Sequence, residues 1–291
     1  MLTKKLEATI AATLQNKLNQ PVSIIGRRQV FGGDINQTFI LQTTTGKLFV
    51  KLNSASAGDM FEKENNGLQL LAQAQAVAVA KPVVAGSADG QIFLVMEFIE
   101  KGVPAANFWQ QFGHGLARLH KTTIDSFGLD ENNYIGTIPQ QNKACATWAE
   151  FYTHQRIIPL MQQALRQHKC SLDDVRAAER LCGRFEELFP AEQPALLHGD
   201  LWSGNFMAGE DGGPVIYDPA VYYGHREMDI AMTLLFGGFD SNLYSYYNEA
   251  YPLQPGWRQR VPLCQLYPLL VHLLLFGGHY YNSVMEIIKR Y

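Results

Sequence analysis

Cysteine and charge are both scarce in this chain. Four cysteines in 291 residues, Cys145, Cys170, Cys182 and Cys264, contain no C-x-x-C pair, which excludes a zinc ribbon and a redox dithiol as the organising feature. A chain of this length buries on the order of 75% of its unfolded surface without covalent staples, so four reduced thiols in a cytosolic setting are the expectation. Charged residues make up 18% of the chain, below the usual ~25%, and that argues for a large core and against disorder. The net charge is −3, and it divides unevenly. The first 100 residues carry 9 basic and 8 acidic side chains, the remainder 15 and 19. Neither part concentrates basic charge, so nucleic acid is excluded as a principal partner. Only residues 261–278 approach a long apolar run, and Gln265, Pro268, His272 and Gly277-Gly278 interrupt it. A spanning helix needs ~20 residues with few polar breaks, so a buried helix and no membrane association are expected. At the N-terminus, Leu2, Leu6, Ile10, Leu14 and Leu18 recur at helical spacing around Glu7. That pattern predicts an amphipathic helix over 1–20 rather than a signal peptide, hence a cytoplasmic protein.

What is present changes period near residue 100. Before it, β-branched and aromatic stretches predict strands over 23–31, 37–43, 47–52, 83–86 and 91–99, with a helix over 59–75 between the third and fourth. The Ala-rich run 72–80 reads as the end of that helix and a loop. After it, helices are predicted over 107–120, 147–168 and 172–189, a short strand-bearing insert over 193–219, and helix again over 227–290. The fold class is therefore α+β: a small five-stranded antiparallel lobe (1–100, with 1–20 as its N-terminal helix) and a larger, mostly helical lobe (101–291).

The sharpest local signal is His198-Gly199-Asp200-Leu201-Trp202-Ser203-Gly204-Asn205. Protein kinases carry an Asp and an Asn at this five-residue separation, the Asp orienting the substrate hydroxyl and the Asn binding Mg²⁺. Phosphoryl transfer needs a carboxylate at the nucleophile and hard oxygen ligands at the metal, both on one rigid loop. A turn over 209–213 and the apolar run Pro214-Val215-Ile216-Tyr217 then deliver Asp218, where a second Mg²⁺ carboxylate belongs. The following residues are Pro219-Ala220, so the Phe of a kinase D-F-G segment is missing. In the first lobe Lys51 closes a strand as the phosphate-holding Lys of V-A-I-K does, and Glu64 is spaced to pair with it, with Glu62 as a competitor. Gly32-Gly33 forms a candidate phosphate-covering loop, and Glu97-Phe98 a candidate hinge for adenine.

These residues, together with Met60-Phe61-Glu62-Lys63-Glu64, Tyr217-Asp218-Pro219-Ala220, Gly224-His225-Arg226-Glu227-Met228-Asp229 and the segment 267–273, resemble the fructosamine/ketosamine-3-kinase family, related to aminoglycoside and choline kinases. The resemblance spans about residues 20 to 285. It implies a bilobal protein-kinase-like fold and ATP-dependent phosphorylation of the 3-hydroxyl of a ketosamine, free or protein-bound. The 3-phosphate is unstable in that family, so the amine is released and the activity is deglycating. By the same resemblance Asp200 is the catalytic carboxylate, Asn205 and Asp218 hold Mg²⁺, and Lys51 with Glu64 holds ATP. Trp202 walls the sugar, Asp229 and Glu227 brace the loop or, for Asp229, face the substrate amine, and His198 is structural. An aminoglycoside or choline kinase of the same fold, and an inactive nucleotide-binding module, are the alternatives.

Overall fold

The computed structural model describes residues 2–30 and 35–291, so Gly32 and Gly33 lie outside the described residues. Helix α1 (Lys4–Leu18) is capped by Thr3, whose hydroxyl accepts from Leu6 N at 3.1 Å, and stops at Asn19 in the left-handed conformation. Strands β1 (Ile24–Val30), β2 (Gln37–Thr43) and β3 (Gly46–Ser54) follow, then α2 (Met60–Gln73), the two-residue β4 (Ala78–Val79), β5 (Pro82–Ala88) and β6 (Gln91–Glu97). Asp89-Gly90, both at positive φ, close the β5–β6 hairpin. The five long strands form one antiparallel sheet in the order β1-β2-β3-β6-β5.

Period-two alternation decides what each face of that sheet does. Leu48, Val50 and Leu52 of β3, with Phe39, Leu41, Phe93 and Val95, pack against Leu2, Leu6, Ile10 and Leu14. Each such side chain contributes about 1.5–3 kcal/mol when fully buried. The opposite face, with Leu94, Met96 and Phe49, packs against α2 through Phe61, Leu68 and Leu71. Lys51, between Val50 and Leu52, therefore points toward α2 and the rest of the chain. The sheet is thus sandwiched by two helices, α1 serving as a full core partner and not only as a surface helix.

The second lobe is built from α3 (Phe108–His120), a hairpin of β7 (Asn133–Ile135) and β8 (Ile138–Gln140), and a rod whose ends are α4 (Trp148–Phe151) and α5 (Ile158–Arg166). Its middle, Tyr152–Ile157, is π-wound. Helix α6 (Leu172–Cys182) starts at a Ser171–Asp174 capping box, and the helix predicted over 172–189 breaks at Gly183 before α7 (Phe185–Leu188). Strands β9 (Ala195–Leu197), β10 (Phe206–Ala208), β11 (Pro214–Ile216) and β12 (Tyr222–Gly224) precede α8 (Glu227–Leu235), α9 (Asn242–Ala250), α10 (Trp257–Phe276) and α11 (Tyr280–Arg290). Helix α10 is buried along most of its length, and no described helix is long and apolar enough to cross a membrane.

Further departures from the sequence expectation lie among the short strands. The end of the Ala-rich run is strand β4, which pairs in parallel with β11 (Ala78 with Val215, Val79 with Ile216) and ties residues before 100 to the insert. The β7–β8 hairpin was not foreseen, being three residues a side among Asn and Gln.

Candidate active site

Strand β9 runs straight into the loop that starts at His198, and the β10–β11 hairpin brings the chain back to Asp218. Asp229, in the first turn of α8, anchors the loop from below. Its Oδ2 accepts from His198 N at 2.7 Å and its Oδ1 from Gly199 N at 2.9 Å. His120 Nε2 lies 3.2 Å from the same carboxylate, and Tyr247 holds the other ring nitrogen at 2.8 Å. Burial would raise the Asp229 carboxyl; His120, His198 and the Gly199 N–H outweigh it and hold the group below the ordinary carboxylate range. The side chain is 1% exposed. Asp229 therefore does not line the cleft, and the expectation that it faces the substrate amine is corrected: both oxygens are committed to the loop backbone and His120. Glu227 does not brace the loop; it makes a two-point pair with Arg260 at 2.6 and 2.8 Å.

His198 is buried, its Nε2–H donating to Tyr217 O at 3.0 Å and its Nδ1 accepting from Asp200 N at 3.3 Å. With both nitrogens used and burial lowering its pKa, it is a strut. Gly199 has φ +82, and a Cβ there would lie 2.0 Å from Ala220 O. Ala220 N in turn donates to His198 O at 2.9 Å, so glycine is what lets the loop and the segment after Asp218 touch. Gly199→Ala is expected to lose both activity and more than about 1 kcal/mol of stability; wild-type turnover and Tm in that variant would contradict this packing.

The remaining groups converge from distant parts of the chain. Asn205 Nδ2 donates to Asp200 O at 2.8 Å, Asp200 Oδ2 at 3.2 Å and Asp218 O at 3.3 Å. These bonds fix the amide orientation and leave its Oδ1 without a hydrogen bond to any described residue. Asp218 adopts φ +56, a conformation that Asp tolerates better than most residues but that still costs energy, as is common at functional sites. Lys51, 167 residues away, is hydrogen-bonded to Asp218 Oδ1 and to Glu64 Oε1, the latter at 2.6 Å. Glu64 rather than Glu62 is thus the partner. Burial works against the Lys51 ammonium, yet Asp218 and Glu64 together raise its pKa above the ordinary value. Burial, with the nearby Asp218 charge, pushes Glu64 up to about 7. Asp200 is likewise pushed up to about 7, first by burial and then by Asp218, against the Asn205 hydrogen bond.

Among the other residues singled out in the sequence, Trp202 stands at the loop's rim, 38% exposed. Its ring lies over Gly204, where a Cβ would come within 2.3 Å of it, and meets Phe236 edge-on at 6.1 Å. Glu97 N donates to Lys81 O at 2.9 Å, so that N–H is already taken, and Phe98 is half-buried beside the Lys47 ammonium. A set of buried polar residues has almost no signature in the sequence. Asn133 Nδ2 donates to Val221 O at 2.7 Å and Gln140 Nε2 to Ala220 O at 3.1 Å. Tyr267 OH supports Gln140 Oε1 at 2.7 Å, while Asn142 links Asn133 to Arg156 at 2.9 and 2.8 Å. Arg156, fully buried, is projected by the π-wound turn against the stacked rings of Phe151 and Tyr222. These groups brace the chain just past Asp218. An isolated Arg amid aromatics was the one available hint, since Asn and Gln ordinarily mark loops.

A sheet-borne Lys paired with a helix-borne Glu, facing an Asp-x₄-Asn loop and a later Asp, is the arrangement of the kinase fold. The sequence profile of the family described as fructosamine kinase matches residues 6–291. The chain belongs to the fructosamine kinase family. Within it, this fructosamine kinase homologue is 39% identical over 283 residues to the probable ketoamine kinase of Synechocystis sp., covering 97% of this chain and 95% of that one. It is 38% identical over 273 residues to the chloroplastic protein-ribulosamine 3-kinase of Oryza sativa subsp. indica, covering 92% and 79%. A crystal structure from Thermobifida fusca, provisionally named a fructosamine-3-kinase, superposes with a TM-score of 0.83 at 33% identity, over 97% of both chains. The Streptococcus pneumoniae choline kinase shares the fold alone, at TM-score 0.62 and 15% identity over 98% of this chain and 99% of that one. The family member described here is accordingly a phosphotransferase of bilobal α+β fold.

Proposed function

We propose that this protein transfers the γ-phosphoryl group of ATP to the 3-hydroxyl of a ketosamine, with Asp200 accepting the hydroxyl proton. The observation that carries the reading is the convergence of Lys51, Glu64, Asp200, Asn205 and Asp218 on one cleft. The fit to the nucleotide and metal is chemical. Asn205 Oδ1 has no hydrogen-bond partner among the described residues and the Asp218 carboxylate is 40% exposed, giving two hard oxygen donors. Among the described residues no group of three or more His, Cys, Asp or Glu could enclose a metal. Magnesium, which keeps water and phosphate oxygens in its shell, suits such a sparse donor set. Asn205 and Asp218 would hold Mg²⁺, which when bound neutralises charge on the transferring phosphoryl group. Lys51, released from Asp218 as that carboxylate takes up the metal but kept in place by Glu64, would hold ATP phosphates. Gly32 and Gly33 would cover those phosphates, while Glu97 and Phe98 would flank the adenine, Glu97 through its carbonyl.

Residues 1–100 then serve as the ATP-binding lobe and 101–291 as the catalytic and substrate lobe. Burial raises the Asp200 carboxyl above the ordinary range, and a carboxylate more basic than an ordinary one suits proton acceptance from an alcohol. Trp202, exposed at the loop's rim, would wall the sugar. A phosphate on C3 is activated for departure. Enolisation toward C1 places it allylic to a nitrogen-bearing double bond, the nitrogen electron pair expels it, and water cleaves the resulting imine to free the amine.

ADP release measured with ribulosyl-lysine, fructosyl-lysine, an aminoglycoside and choline tests the reading. Mg²⁺-dependent release with the ketosamines is expected. Turnover of the aminoglycoside or choline with no turnover of either ketosamine would overturn it.

A further inference from the structure

Beside the Asp200 loop runs a shelf of aromatic rings, of which the roles above use only Trp202. From the Trp202–Phe236 contact, Phe236 lies 5.0 Å from the His272 ring, and His272 lies 5.5 Å from Phe276 and 5.1 Å from Tyr280. Phe236 is 41% and Phe276 55% exposed. Exposed rings joined by ring contacts, in a protein whose other described Phe, Trp and Tyr side chains are buried or half-buried, mark an interaction site more often than chance exposure does. Three separate helices build the shelf. Phe236 closes α8, while His272 and Phe276 stand one turn apart at the end of α10, and Tyr280 opens α11 after the Gly277-Gly278 turn.

The shelf continues from the cleft and is not a remote patch. Trp202 is two residues from Asp200. Leu275, the neighbour of Phe276, approaches Ile35 of the first lobe: a Cβ built on Gly136 would lie 3.2 Å from the Cδ1 atoms of both. The end of α10 therefore meets the residues that lead into β2, at the mouth between the lobes. His272 adds a ring face rather than a charge. Its Nδ1–H donates to Pro268 O at 2.7 Å, and burial keeps its pKa below the ordinary value.

We propose that this shelf is the subsite for the amine-bearing arm of the substrate, the methylene stem of a modified lysine and its adjoining peptide. The proposal rests on the functional reading above. With the 3-hydroxyl at Asp200 and the sugar against Trp202, the nitrogen on C1 is two carbons from the reacting carbon. Its substituent must leave the cleft across the surface next to Trp202. That arm begins with a protonated secondary amine, which ring faces attract even when partly exposed. It continues with methylenes, which gain by leaving water against the rings. Phe236, His272 and Phe276 thus act as specificity-determining residues for the arm and leave the phosphoryl-transfer groups alone.

The test compares two substrates that share the sugar and differ in the arm: the ribulosyl adducts of Nα-acetyl-lysine amide and of glycine. In the wild type the lysine adduct is expected to have the higher kcat/KM. Phe276→Ala, at a position exposed enough for the variant to fold, is expected to lower the lysine-to-glycine ratio of kcat/KM roughly tenfold, a loss of about 1.4 kcal/mol, carried by KM. Phe236→Ala should act in the same direction, and Phe276→Tyr, which keeps the ring, should retain the wild-type ratio. An unchanged ratio in both alanine variants would overturn the shelf as an arm subsite. So would a concentration-dependent dimer that Phe276→Ala abolishes with the ratio intact, because the rings would then serve a second copy of the chain. A wild type that turns over neither adduct would instead refute the ketosamine reading, and the subsite with it.

Discussion

Asp200→Asn is expected to lower kcat by about 10²–10⁴-fold, the range typical for loss of a positioned general base, with nucleotide affinity little altered. Asparagine has nearly the size and shape of aspartate, and its amide oxygen can still accept the hydrogen bond from Asn205 Nδ2. The loop backbone is held independently by Asp229 and His198. What the substitution removes is a group able to take a proton from an alcohol. Steady-state kcat with saturating ATP and ketosamine, beside calorimetric titration of nucleotide, separates the two effects. A large fall in kcat with intact nucleotide binding and Tm supports a chemical role. A parallel fall in Tm would make Asp200 a structural residue, and an unaltered rate would remove it from the mechanism.

Glu192→Gln is expected to cost about 3–5 kcal/mol of stability, the usual penalty for stripping one partner from a buried ion pair. Arg226 is 2% exposed and Glu192 6%. The two make a two-point pair at 2.7 and 2.8 Å, and the guanidinium lies 3.7 Å over the Tyr251 ring while donating to Tyr251 O and Pro252 O. Without the carboxylate, that guanidinium stays buried with its charge uncompensated. The same pair sets a pH dependence. Burial alone would raise the Glu192 carboxyl, but the hydrogen bonds and charge of Arg226, aided by His225, hold it below the ordinary range. A depressed folded-state pKa contributes stability that is fully present above the unfolded value and is lost as pH falls through the folded one. Denaturant unfolding followed from neutral to acid pH should therefore show wild-type stability falling toward acid, with a shallower fall in Glu192→Gln. A variant as stable as wild type at neutral pH would refute the pair's weight.

Much of this could be read from residue order, for reasons that differ by element. The five strands of the first lobe announce themselves by β-branched content and turns, and their observed limits differ from the expectation by at most a few residues. The Asp200–Asn205 spacing and the strand-terminal Asp218 are local patterns, so they survive without any knowledge of the fold. What could not be read is non-local. Ala78 and Val79, at the end of the alanine-rich run, become β4 only because β11 offers a parallel partner. The split between Glu64 and Glu62 is settled by which of them α2 turns toward Lys51. Residue order leaves Asp229 open between bracing the loop and facing the substrate, because it carries no information about burial; its role under the loop follows from the backbone N–H groups of His198 and Gly199. The Asn133–Gln140–Arg156 network depends on a π-wound turn that no periodicity encodes.

The most direct measurement is the position of the phosphate in the product. Phosphorus–proton correlation NMR of ribulosyl-lysine incubated with the enzyme, ATP and Mg²⁺ should show a phosphate coupled to the C3 proton before the amine is released, with one ADP formed per phosphorylated sugar. A phosphate on another carbon of the ketosamine, or ADP released with the ketosamine unmodified, would contradict the account.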